Sequence, residues 1–473
     1  MNAPIDPIEF RTDDGSTPVE RYRRLPEPTA ADFAHLPGPG HASFLKKLRT
    51  LRRFLFDTVR LQQERREDFG DVFAIETLTG PSVQMIGADA NELVLMNRER
   101  IFSSEQGWYP ILGKLFPRGL MMQDFEEHRA HRKVLSVAFK PAPMQAYLTL
   151  LQEGIRRRIA EWPERLQIYP AMKELTLDLA ASSFLGIPWG PEADRVNQAF
   201  VDMVQASVTP VRKPLPFTQM RRGVRGRAYL VEYFGREIPR RRGKQADDMF
   251  TQVVNATGDD GQLLTDRQVI DHMNFLMMAA HDTLTSSLSA TVFYLGKSPA
   301  WQERVRQESE ALRGQVGSDL PYDRLGELEL ADQAFKEAMR LRPPVPFIPR
   351  RALRTFTFRN HVIPAGTHVG ICPMMVHRDP NIWPDPERYD PARFEREQEK
   401  ARDKHAYVPF GGGAHMCLGL HFAHMQAKTF LFELLHARHI DVAAAYEPRW
   451  QMVPIPRPRD GLPLGLIKRA GTA

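Results

Sequence analysis

The sequence contains only two cysteines, Cys372 and Cys417, among its 473 residues. Two cysteines cannot build a framework of several disulfides or a four-cysteine zinc site, which excludes the small secreted scaffolds and zinc domains that depend on them. A reducing cytoplasm fits such a composition. Cys372 lies in an apolar run, where we expect a small core residue, whereas Cys417 lies in a glycine-rich loop.

Long hydrophobic runs are also missing. No stretch reaches the roughly 18–20 apolar residues that a membrane-spanning helix needs. Residues 1–20 carry no apolar core of a signal peptide. We therefore expect a cytoplasmic protein without a transmembrane anchor. No linker or internal repeat is evident after the first thirty residues, so we predict a flexible N-terminal tail (1–30) and a single domain (31–473).

The charge balance argues against a nucleic-acid-binding protein. Lysine and arginine together number 64 and aspartate and glutamate 58, which gives a diffuse net charge of +6. No helix-turn-helix or zinc-finger pattern accompanies this charge, so no nucleic-acid partner is expected. A glycine-rich dinucleotide fingerprint is absent as well. We therefore expect no nucleotide-dependent reductase domain within the chain.

Helical patterns dominate both halves of the sequence, while strand-like segments such as 72–75 and 83–86 are short. We predict a mainly α fold (α+β) with small sheets. Thr265 and Gln268 have the spacing of a capping box, which marks the start of the longest helix. This helix should be about 45 Å long and should end at Gly296.

The middle of this helix carries a polar pair, Asp282 and Thr283, directly after an apolar stretch (275–280). Over that stretch the helix is apolar almost all round its circumference, so it should cross the core. Burying an acid and a hydroxyl in such a place costs free energy unless both have hydrogen-bond partners. The pair either satisfies local backbone groups or takes part in chemistry.

Two further helices are expected after the long one. Pro299 at a first helical position starts the first of them, which should end at Gly314. The second carries Glu337 and Arg340, which share one face and can form a bidentate pair. Glu-x-x-Arg is common on exposed helices, so the motif alone indicates little. Its position between the long helix and Cys417 is the more informative signal.

The segment 410–419 reads FGGGAHMCLG and is the most informative part of the sequence. It places Cys417 between a glycine-rich loop and a helical pattern. A helix N-terminus and free backbone N–H groups favour a thiolate, which is a metal ligand. A buried cysteine in a turn is the alternative. The expected helix face consists of Leu418, Phe422, Met425, Thr429 and Phe432.

These residues match Phe-x-x-Gly-x-(Arg/His)-x-Cys-x-Gly, and the chain thereby resembles the cytochrome P450 superfamily of haem-thiolate monooxygenases, in its soluble bacterial type. The resemblance implies the P450 fold, a helix-rich triangular prism with small β-sheets. It places the haem between the long central helix and the helix after the cysteine loop. It also implies haem b (iron protoporphyrin IX) as the cofactor, with Cys417 as the iron ligand.

The resemblance assigns further roles residue by residue. Asp282 and Thr283 are implied to deliver protons during oxygen activation, although Ala280 stands where relatives often have glycine. The structural triad that it implies consists of Glu337, Arg340 and Arg393. The other haem contacts that it implies are His128, Arg132, Arg350, His415, Phe410, Gly411 and Gly419. Other histidines, including His281 and His424, are expected to be core or surface residues.

The implied reaction inserts one oxygen atom from O2 into a lipophilic substrate such as a steroid, a terpenoid or a fatty acid. Two electrons would come from a separate ferredoxin with its ferredoxin reductase. The expected pocket walls are apolar, which suits such a substrate. They are Trp108, Tyr109, Ile111, Met277, Ala280, Val345, Phe347, Met452 and Val453.

Two other functions stay open: a peroxygenase or isomerase on the same fold, and a non-catalytic haem protein that binds a gas or lipid. Asp282 and Thr283 favour the monooxygenase, because the peroxygenase and isomerase lineages generally lose this pair. A basic segment (211–242) is either solvated or meets an anionic substrate or a membrane surface. Arg129 and Lys133 are expected to face outward on the cysteine side, where they either steer an acidic ferredoxin or are simply solvated.

Overall fold

The computed structural model describes residues 25–40, 43–77 and 80–469. We number its α-helices in chain order as α1 (Phe44–Phe56), α2 (Thr58–Phe69), α3 (Ala88–Met96), α4 (Ser104–Leu112), α5 (Phe125–Leu135), α6 (Pro141–Glu161), α7 (Ile168–Leu185), α8 (Pro191–Ser207), α9 (Gln219–Arg241), α10 (Met249–Asn255), α11 (Asp266–Lys297), α12 (Pro299–Val316), α13 (Glu329–Leu341), α14 (Pro373–Val376), α15 (Arg396–Ala401) and α16 (Leu420–Ala437). Short 3-10 helices cover Ala30–Phe33, Leu120–Met122, Ser136–Phe139, Tyr322–Glu327, Pro391–Phe394 and Gly413–His415.

The strands are β1 (Val72–Thr77), β2 (Gly80–Met85), β3 (Phe102–Ser103), β4 (Arg165–Gln167), β5 (Ile348–Ala352), β6 (Phe356–Phe358), β7 (His361–Ile363), β8 (His368–Ile371), β9 (Arg438–Asp441), β10 (Trp450–Gln451), β11 (Arg457–Pro458) and β12 (Pro463–Lys468). The largest sheet has five strands in the order β1-β2-β8-β5-β3, and only its β2–β8 pair is parallel. The other sheets have two or three strands. The prediction of a helix-rich fold with small sheets is confirmed.

Helix α11 runs through the largest core cluster, as its apolar circumference predicts. The capping box is confirmed, because the Thr265 N–H donates to Gln268 Oε1 at 2.9 Å and the Gln268 N–H donates to Thr265 Oγ1 at 3.3 Å. The predicted end is wrong: the helix continues through Gly296 to Lys297. A Cβ at Gly296 would lie 2.4 Å from Val442 Cγ2, so this glycine permits close packing instead of ending the helix.

Helix α12 begins with Pro299 in its first turn, as predicted, but it does not end at Gly314. It continues to Val316, and Gly317 follows with a φ of 78°. A left-handed backbone of this kind favours glycine, so Gly317 is the residue that ends the helix.

The predicted N-terminal tail falls largely outside the described residues. Pro26 already contacts the domain, because its carbonyl accepts a hydrogen bond from Arg351 Nη2 at 3.3 Å. Phe33 and Leu36 are buried soon afterwards. The division of the chain at residue 30 stays a prediction. Among the described helices, none combines the length and the apolar character that crossing a bilayer requires.

A buried charge cluster supports the loop that carries Cys417. Glu337 and Arg340 are both fully buried and form a bidentate pair, with N–O distances of 2.7 and 2.9 Å. Arg393 Nε lies 3.5 Å from Glu337 Oε1, so the three implied members of the triad do lie together. The remaining donors of Arg340 bind the backbone carbonyls of His377, Pro386 and Arg388.

His377 links this cluster to the cysteine loop, a connection that the sequence analysis did not predict. Its carbonyl accepts from Arg340 at 2.8 Å, and its Nε2 accepts from the Val408 N–H at 3.0 Å. Val408 stands two residues before Phe410, so the ring fixes the start of the loop. Burial, together with the positive charges of Arg340 and Arg378, lowers the pKa of His377 to about 3.

We predict that His377 makes the folded domain sensitive to acid. Its folded-state pKa lies below the unfolded value of 6.5, so the unfolded chain binds the proton more tightly and stability is lost as the pH falls from 6.5 towards 3. The His377→Gln variant keeps an acceptor but cannot titrate. In urea unfolding followed by circular dichroism, its free energy of unfolding should fall by about 1.4 kcal/mol less per pH unit.

The matched control is His439→Gln, because His439 is exposed on β9. This control should show the wild-type pH dependence. An identical slope in the wild type and in His377→Gln would mean that the ring does not titrate as described.

Candidate functional site

Cys417 lies at the end of the glycine-rich loop, three residues before α16 begins at Leu420. Its N–H donates to the Phe410 carbonyl at 2.9 Å, which closes the loop. Gly413 has a φ of 60°, and a Cβ there would lie 2.0 Å from the Leu95 carbonyl oxygen on α3. Only glycine allows the loop to pass this close to α3 and to hold the sulfur in place.

The sulfur of Cys417 is surrounded by protein and yet accessible to solvent, so it faces a cavity. Burial raises the pKa of the Cys417 thiol, while the Gly419 N–H and the positive charge of Arg132 act in the opposite direction. Cys372 is fully buried, and burial raises the pKa of its thiol to about 12. Of the two cysteines, only Cys417 can both reach a ligand and be stabilised as a thiolate.

Helix α11 has an accessible stripe in the middle of its buried length. Met278, Ala279, Ala280 and Thr283 are partly accessible. Ala279, Thr283 and Ala280 lie within about 100° around the helix axis and so share one side, and Met278 lies next to them. Met277, which we expected in the pocket wall, is fully buried in the core. That expectation is wrong, and Met278 is the accessible methionine at this level of the helix.

The other expected pocket residues are partly accessible on two further segments. Val345 and Phe347, followed by Pro349 in β5, alternate with buried residues along the segment that leads into β5, so one side of this segment is accessible. Trp108 and Tyr109 lie on α4 and pack against the same core cluster as the stripe on α11. These side chains are apolar over most of their surface, as expected.

Three expected wall residues differ in their exposure. Ile111, near the end of α4, is exposed. Val453 is partly accessible and packs in the same small cluster as Phe347. Met452 is buried in that cluster, so its side chain supports the wall from behind.

Two arginines, Arg132 and Arg350, and two histidines, His128 and His415, meet near the cysteine loop. Burial, with the nearby arginines, lowers the pKa of His128 to about 4, so at neutral pH the arginines carry the positive charge. The rings of His128 on α5 and His415 in the loop have their centroids 3.9 Å apart. Arg350 on β5 is buried and donates to the carbonyl of its neighbour Pro349. Burial and the nearby Arg350, His128 and Arg132 lower the pKa of His415 to about 2. The predicted haem contacts are therefore brought together.

Asp124 is an acidic neighbour of this cluster that the sequence analysis did not predict. Its Oδ1 lies 4.0 Å from His415 Nε2. The same carboxylate accepts hydrogen bonds from the Ser103 hydroxyl and, at 2.7 Å, from the Ser104 N–H at the start of α4. Burial raises the pKa of Asp124. The carboxylate thus joins α4 to α5 and is already occupied by these donors.

The charge balance at this cluster tests whether the residues fit a haem. Within the described ranges, no carboxylate lies at ion-pair distance from Arg132 or Arg350. Arg350 is buried, whereas Arg132 is partly accessible. A buried guanidinium group requires an anionic partner, and the two propionates of a haem are anions of the right kind. With the sulfur of Cys417 as a ligand and the apolar walls described above, the residues present fit the group.

The remaining expected haem contacts lie in the loop itself. Phe410 packs against the large core, and its ring centroid lies 5.3 Å from that of His424. Gly411 has a φ of 70°, which favours glycine. Gly419 occupies the N-cap of α16 and directs its N–H to the sulfur of Cys417.

Asp282 is held towards helix α7 rather than towards Thr283. Its Oδ1 lies 3.3 Å from Lys173 Nζ and 3.2 Å from His281 Nε2. Burial alone would raise the pKa of Asp282, but the positive charges of His281 and Lys173 together lower it well below its usual range. The carboxylate is therefore ionised. In the described part of the chain, no hydrogen bond joins the side chains of Asp282 and Thr283.

His281 has a specific partner, which the sequence analysis did not predict. Its Nδ1 lies 2.9 Å from the Met277 carbonyl oxygen, which only accepts, so Nδ1 carries a hydrogen. Its Nε2 lies 3.2 Å from Asp282 Oδ1. Adjacent residues do not share a helix face, so helical spacing could not reveal this pair.

Thr283 presents its hydroxyl on the accessible side of α11. The hydroxyl donates to the Ala279 carbonyl at 2.7 Å, one helical turn earlier. Its oxygen lone pairs can therefore accept a hydrogen bond from a group in the cavity. The predicted acid–alcohol pair thus consists of an ionised acid tied to α7 and a hydroxyl on the cavity side.

Comparison with known proteins places the chain in a family. Residues 45–444 match the family model described as Cytochrome P450. Putative cytochrome P450 136 of Mycobacterium tuberculosis is 37% identical over 398 residues, which cover 82% of this chain and 80% of that protein. Cytochrome P450 26B1 of Mus musculus is 30% identical over 422 residues, which cover 85% of this chain and 81% of that protein.

Solved structures agree with these matches. The retinoic acid bound cyanobacterial CYP120A1 superposes with a TM-score of 0.81 at 28% identity and covers 88% of this chain and 96% of its own. The haem domain of cytochrome P450DA, at 23% identity and a TM-score of 0.82, supports the fold alone. Because the family model and the relatives align over most of this chain, the protein belongs to the cytochrome P450 family.

Proposed function

We propose that this protein is a haem b monooxygenase that inserts one oxygen atom of O2 into a lipophilic substrate of the steroid, terpenoid or fatty-acid type. The P450 family consists of haem-iron monooxygenases, so the enzyme class follows from membership. The observation that carries the finer proposal is the accessible Cys417 sulfur beside a buried cationic cluster. When bound, the haem supplies the oxygen-activating chemistry.

Five side chains would hold the cofactor. The sulfur of Cys417 would bind iron, and the Gly419 N–H would stabilise its negative charge. The propionates would lie against the cationic cluster, where Arg350 is preorganised by burial in β5. Charge-assisted hydrogen bonds of this kind are roughly twice as strong as neutral ones. The residues that would hold the propionates are His128, Arg132, Arg350 and His415.

Proton transfer is the part of the reaction that this chain's own side chains perform. Asp282 stays ionised at neutral pH, so its carboxylate can pass a proton on but does not store one. Lys173 connects it to solvent, because the lysine side chain is 24% exposed while contacting Asp282 Oδ1. The Thr283 hydroxyl then orients a proton donor in the cavity. A positioned donor of this kind typically contributes about 10²–10⁴ in rate.

The walls of the cavity support a lipophilic substrate. The accessible side chains are Trp108, Tyr109, Ala280, Val345 and Phe347, and a site lined in this way binds mainly through apolar contact. The similar CYP120A1 structure contains retinoic acid, and a relative from Solanum lycopersicum is named beta-amyrin 28-monooxygenase. A screen of such compounds by the spin-state shift of the haem would identify the substrate.

We also propose that the protein is cytoplasmic. Its electrons would come from a separate ferredoxin. Arg129 and Lys133 are exposed on α5, one position along from His128 and Arg132. Lys133 forms an ion pair with Asp259, whereas Arg129 has no ion pair with any described residue, so Arg129 carries the unpaired charge of the two. This basic face of α5 would steer an acidic ferredoxin towards the cysteine side.

The first prediction concerns the iron ligand. The reduced carbonyl complex should show the strongly red-shifted Soret band of thiolate ligation, and Cys417→Ala should abolish this band because it removes the accessible thiol. Cys372→Ala is the matched control and should keep the band, since Cys372 is buried in the core. A thiolate spectrum that survives in Cys417→Ala would refute the assignment.

The second prediction concerns proton transfer. Thr283→Ala should keep haem and substrate binding but divert electrons from product to hydrogen peroxide, and Asp282→Asn should mainly slow turnover. The control Thr291→Ala removes a hydroxyl with the same bond to the preceding turn, at 2.8 Å to the Ser287 carbonyl, but within the core. Product, peroxide and reduced nicotinamide are measured with a surrogate ferredoxin and its reductase.

Normal coupling and rate in both Thr283→Ala and Asp282→Asn would rule out this proton path. The same assay separates the alternatives. A peroxygenase or isomerase would form product without an electron donor, and a non-catalytic haem protein would form none.

The third prediction concerns electron entry. Charge reversal by Arg129→Glu and Lys133→Glu should slow reduction by ferredoxin and weaken its dependence on salt, because the steering charge is lost. Peroxide-supported turnover should stay unchanged, since it needs no donor. Arg165→Glu, at an exposed position on β4, is the control. Equally fast and equally salt-dependent reduction of the double variant would place the docking surface elsewhere.

A further inference from the structure

Helix α2 carries an arginine that is buried without a partner. Arg65 is 9% exposed and is one of seven buried arginines in the described residues. Arg65 has neither a hydrogen bond nor an ion pair with any described residue. The other six each donate at least one hydrogen bond to a carboxylate or a backbone carbonyl, and they are Arg340, Arg350, Arg351, Arg378, Arg393 and Arg438.

The charge of Arg65 is not compensated within the described residues. Burial and the positive charge of Arg53 lower the pKa of Arg65 to about 10, so the side chain stays charged at neutral pH. Glu64, the nearest acid in the sequence, pairs with Arg53 and Arg60 instead. None of the Arg65 nitrogens is among the polar atoms that are closed off from solvent, so a small group can still reach the guanidinium.

The neighbour of Arg65 on the same face of α2 lacks partners as well. Gln62 precedes Arg65 by three residues and is 1% exposed. Both its Nε2 and its Oε1 are buried without a hydrogen-bond partner, which holds for no other side chain in the described residues. Polar groups that are buried in this way cost free energy, and native proteins rarely contain them. Two of them side by side indicate a site whose ligand supplies the missing bonds.

This polar pair faces the wall of the candidate pocket. On an ideal helix, Val59, Gln62, Phe69 and Arg65 lie in this order within about 120° around the axis. Val59 and Phe69 pack in the same small cluster as three of the expected wall residues, which are Phe347, Met452 and Val453. Gln62 and Arg65 therefore lie on the face of α2 that is turned towards this wall.

The end of α1 places α2 beside the same wall. The ring centroids of Phe54 and Phe347 are 5.1 Å apart. The Thr58 hydroxyl donates to the Phe54 carbonyl at 2.5 Å, which connects the start of α2 to this contact. Thr58 and Gln62 are one helical turn apart, so the polar pair follows directly along the helix.

We propose that Arg65 and Gln62 bind the carboxylate of a lipophilic acid and that this acid is the substrate. The inference rests on the proposed function and narrows its substrate class. The planar guanidinium matches the two oxygens of a carboxylate, and the Gln62 amide can donate a further hydrogen bond. A single arginine supplies one positive charge, which a carboxylate neutralises and a doubly charged phosphate exceeds. The apolar cluster beside the pair requires that the rest of the ligand be lipophilic.

The test compares acids with their methyl esters on the full-length ferric holoprotein. Palmitic, retinoic and lithocholic acid represent the fatty-acid, terpenoid and steroid types, and each ester keeps the apolar body without the charge. Isothermal titration calorimetry gives the dissociation constants, and the spin-state shift of the haem reports whether the ligand reaches the iron. At least one acid should bind about thirtyfold more tightly than its ester, as expected for one charge-assisted hydrogen bond.

Substitutions on α2 should remove this preference. Arg65→Met should bind the acid no more tightly than the ester and should leave the affinity for the ester unchanged, because only the charge is lost. Gln62→Leu should weaken binding of the acid about fivefold, as expected for one neutral hydrogen bond. The control Arg52→Met removes an exposed arginine of α1 that also has no partner among the described residues, and it should keep the preference.

Urea unfolding without ligand tests whether the fold itself uses Arg65. An unpaired buried charge costs free energy, so Arg65→Met should unfold at an equal or higher urea concentration than the wild type. Arg340→Met breaks the buried pair with Glu337 and should unfold at a lower concentration. A lower midpoint for Arg65→Met as well would mean that the guanidinium stabilises the fold, and this result would overturn the proposal.

Three binding results would also overturn the proposal. The first is that no acid binds more tightly than its ester, and the second is that Arg65→Met keeps the preference of the wild type. In both cases, a spin-state shift with the esters would leave the proposed monooxygenase intact. The third is that the acids bind through Arg65 but never shift the spin state, because such a ligand is not a substrate. The proposed function is tested separately by the thiolate band, which does not depend on Arg65.

Discussion

The rest of the site depends on one constraint: a cysteine sulfur must be able to carry negative charge inside the protein. Burial opposes that charge at Cys417, whereas the Gly419 N–H and the positive charge of Arg132 favour it. Both must be held at a fixed distance. The close passage of Gly413 beside α3 and the hydrogen bond from Val408 to His377 supply this rigidity. The geometry of the loop is thus required for the Gly419 N–H and Arg132 to stabilise the negative charge on the sulfur.

Buried charge elsewhere is satisfied in two different ways. Glu337 and Arg340 neutralise each other, and the spare donors of the arginine bind backbone carbonyls, so this cluster is complete within the protein. Arg132 and Arg350 have no carboxylate at ion-pair distance in the described part of the chain. In our proposal the anionic groups of the haem would complete their charge. One cluster would then stabilise the fold, whereas the other would select a ligand.

Local signals predicted most of this architecture. The capping box at Thr265 depends on residues close in sequence and is confirmed. The loop before α16 is equally local in sequence, and the roles assigned to its residues stay predictions. The predicted end of the long helix at Gly296 was wrong because that glycine serves a contact with a distant strand region. His377 acts through partners far away in the sequence, and His281 pairs with its direct neighbour. Neither relation leaves a periodic signal, so only the folded structure reveals them.

The central claim is that the Cys417 sulfur binds iron in the folded enzyme. Iron K-edge X-ray absorption of the purified ferric holoprotein measures the atoms bound to the metal directly. The account predicts one sulfur atom in the first coordination shell, unchanged when Cys372 is replaced by alanine. A first shell of nitrogen and oxygen atoms only would contradict it.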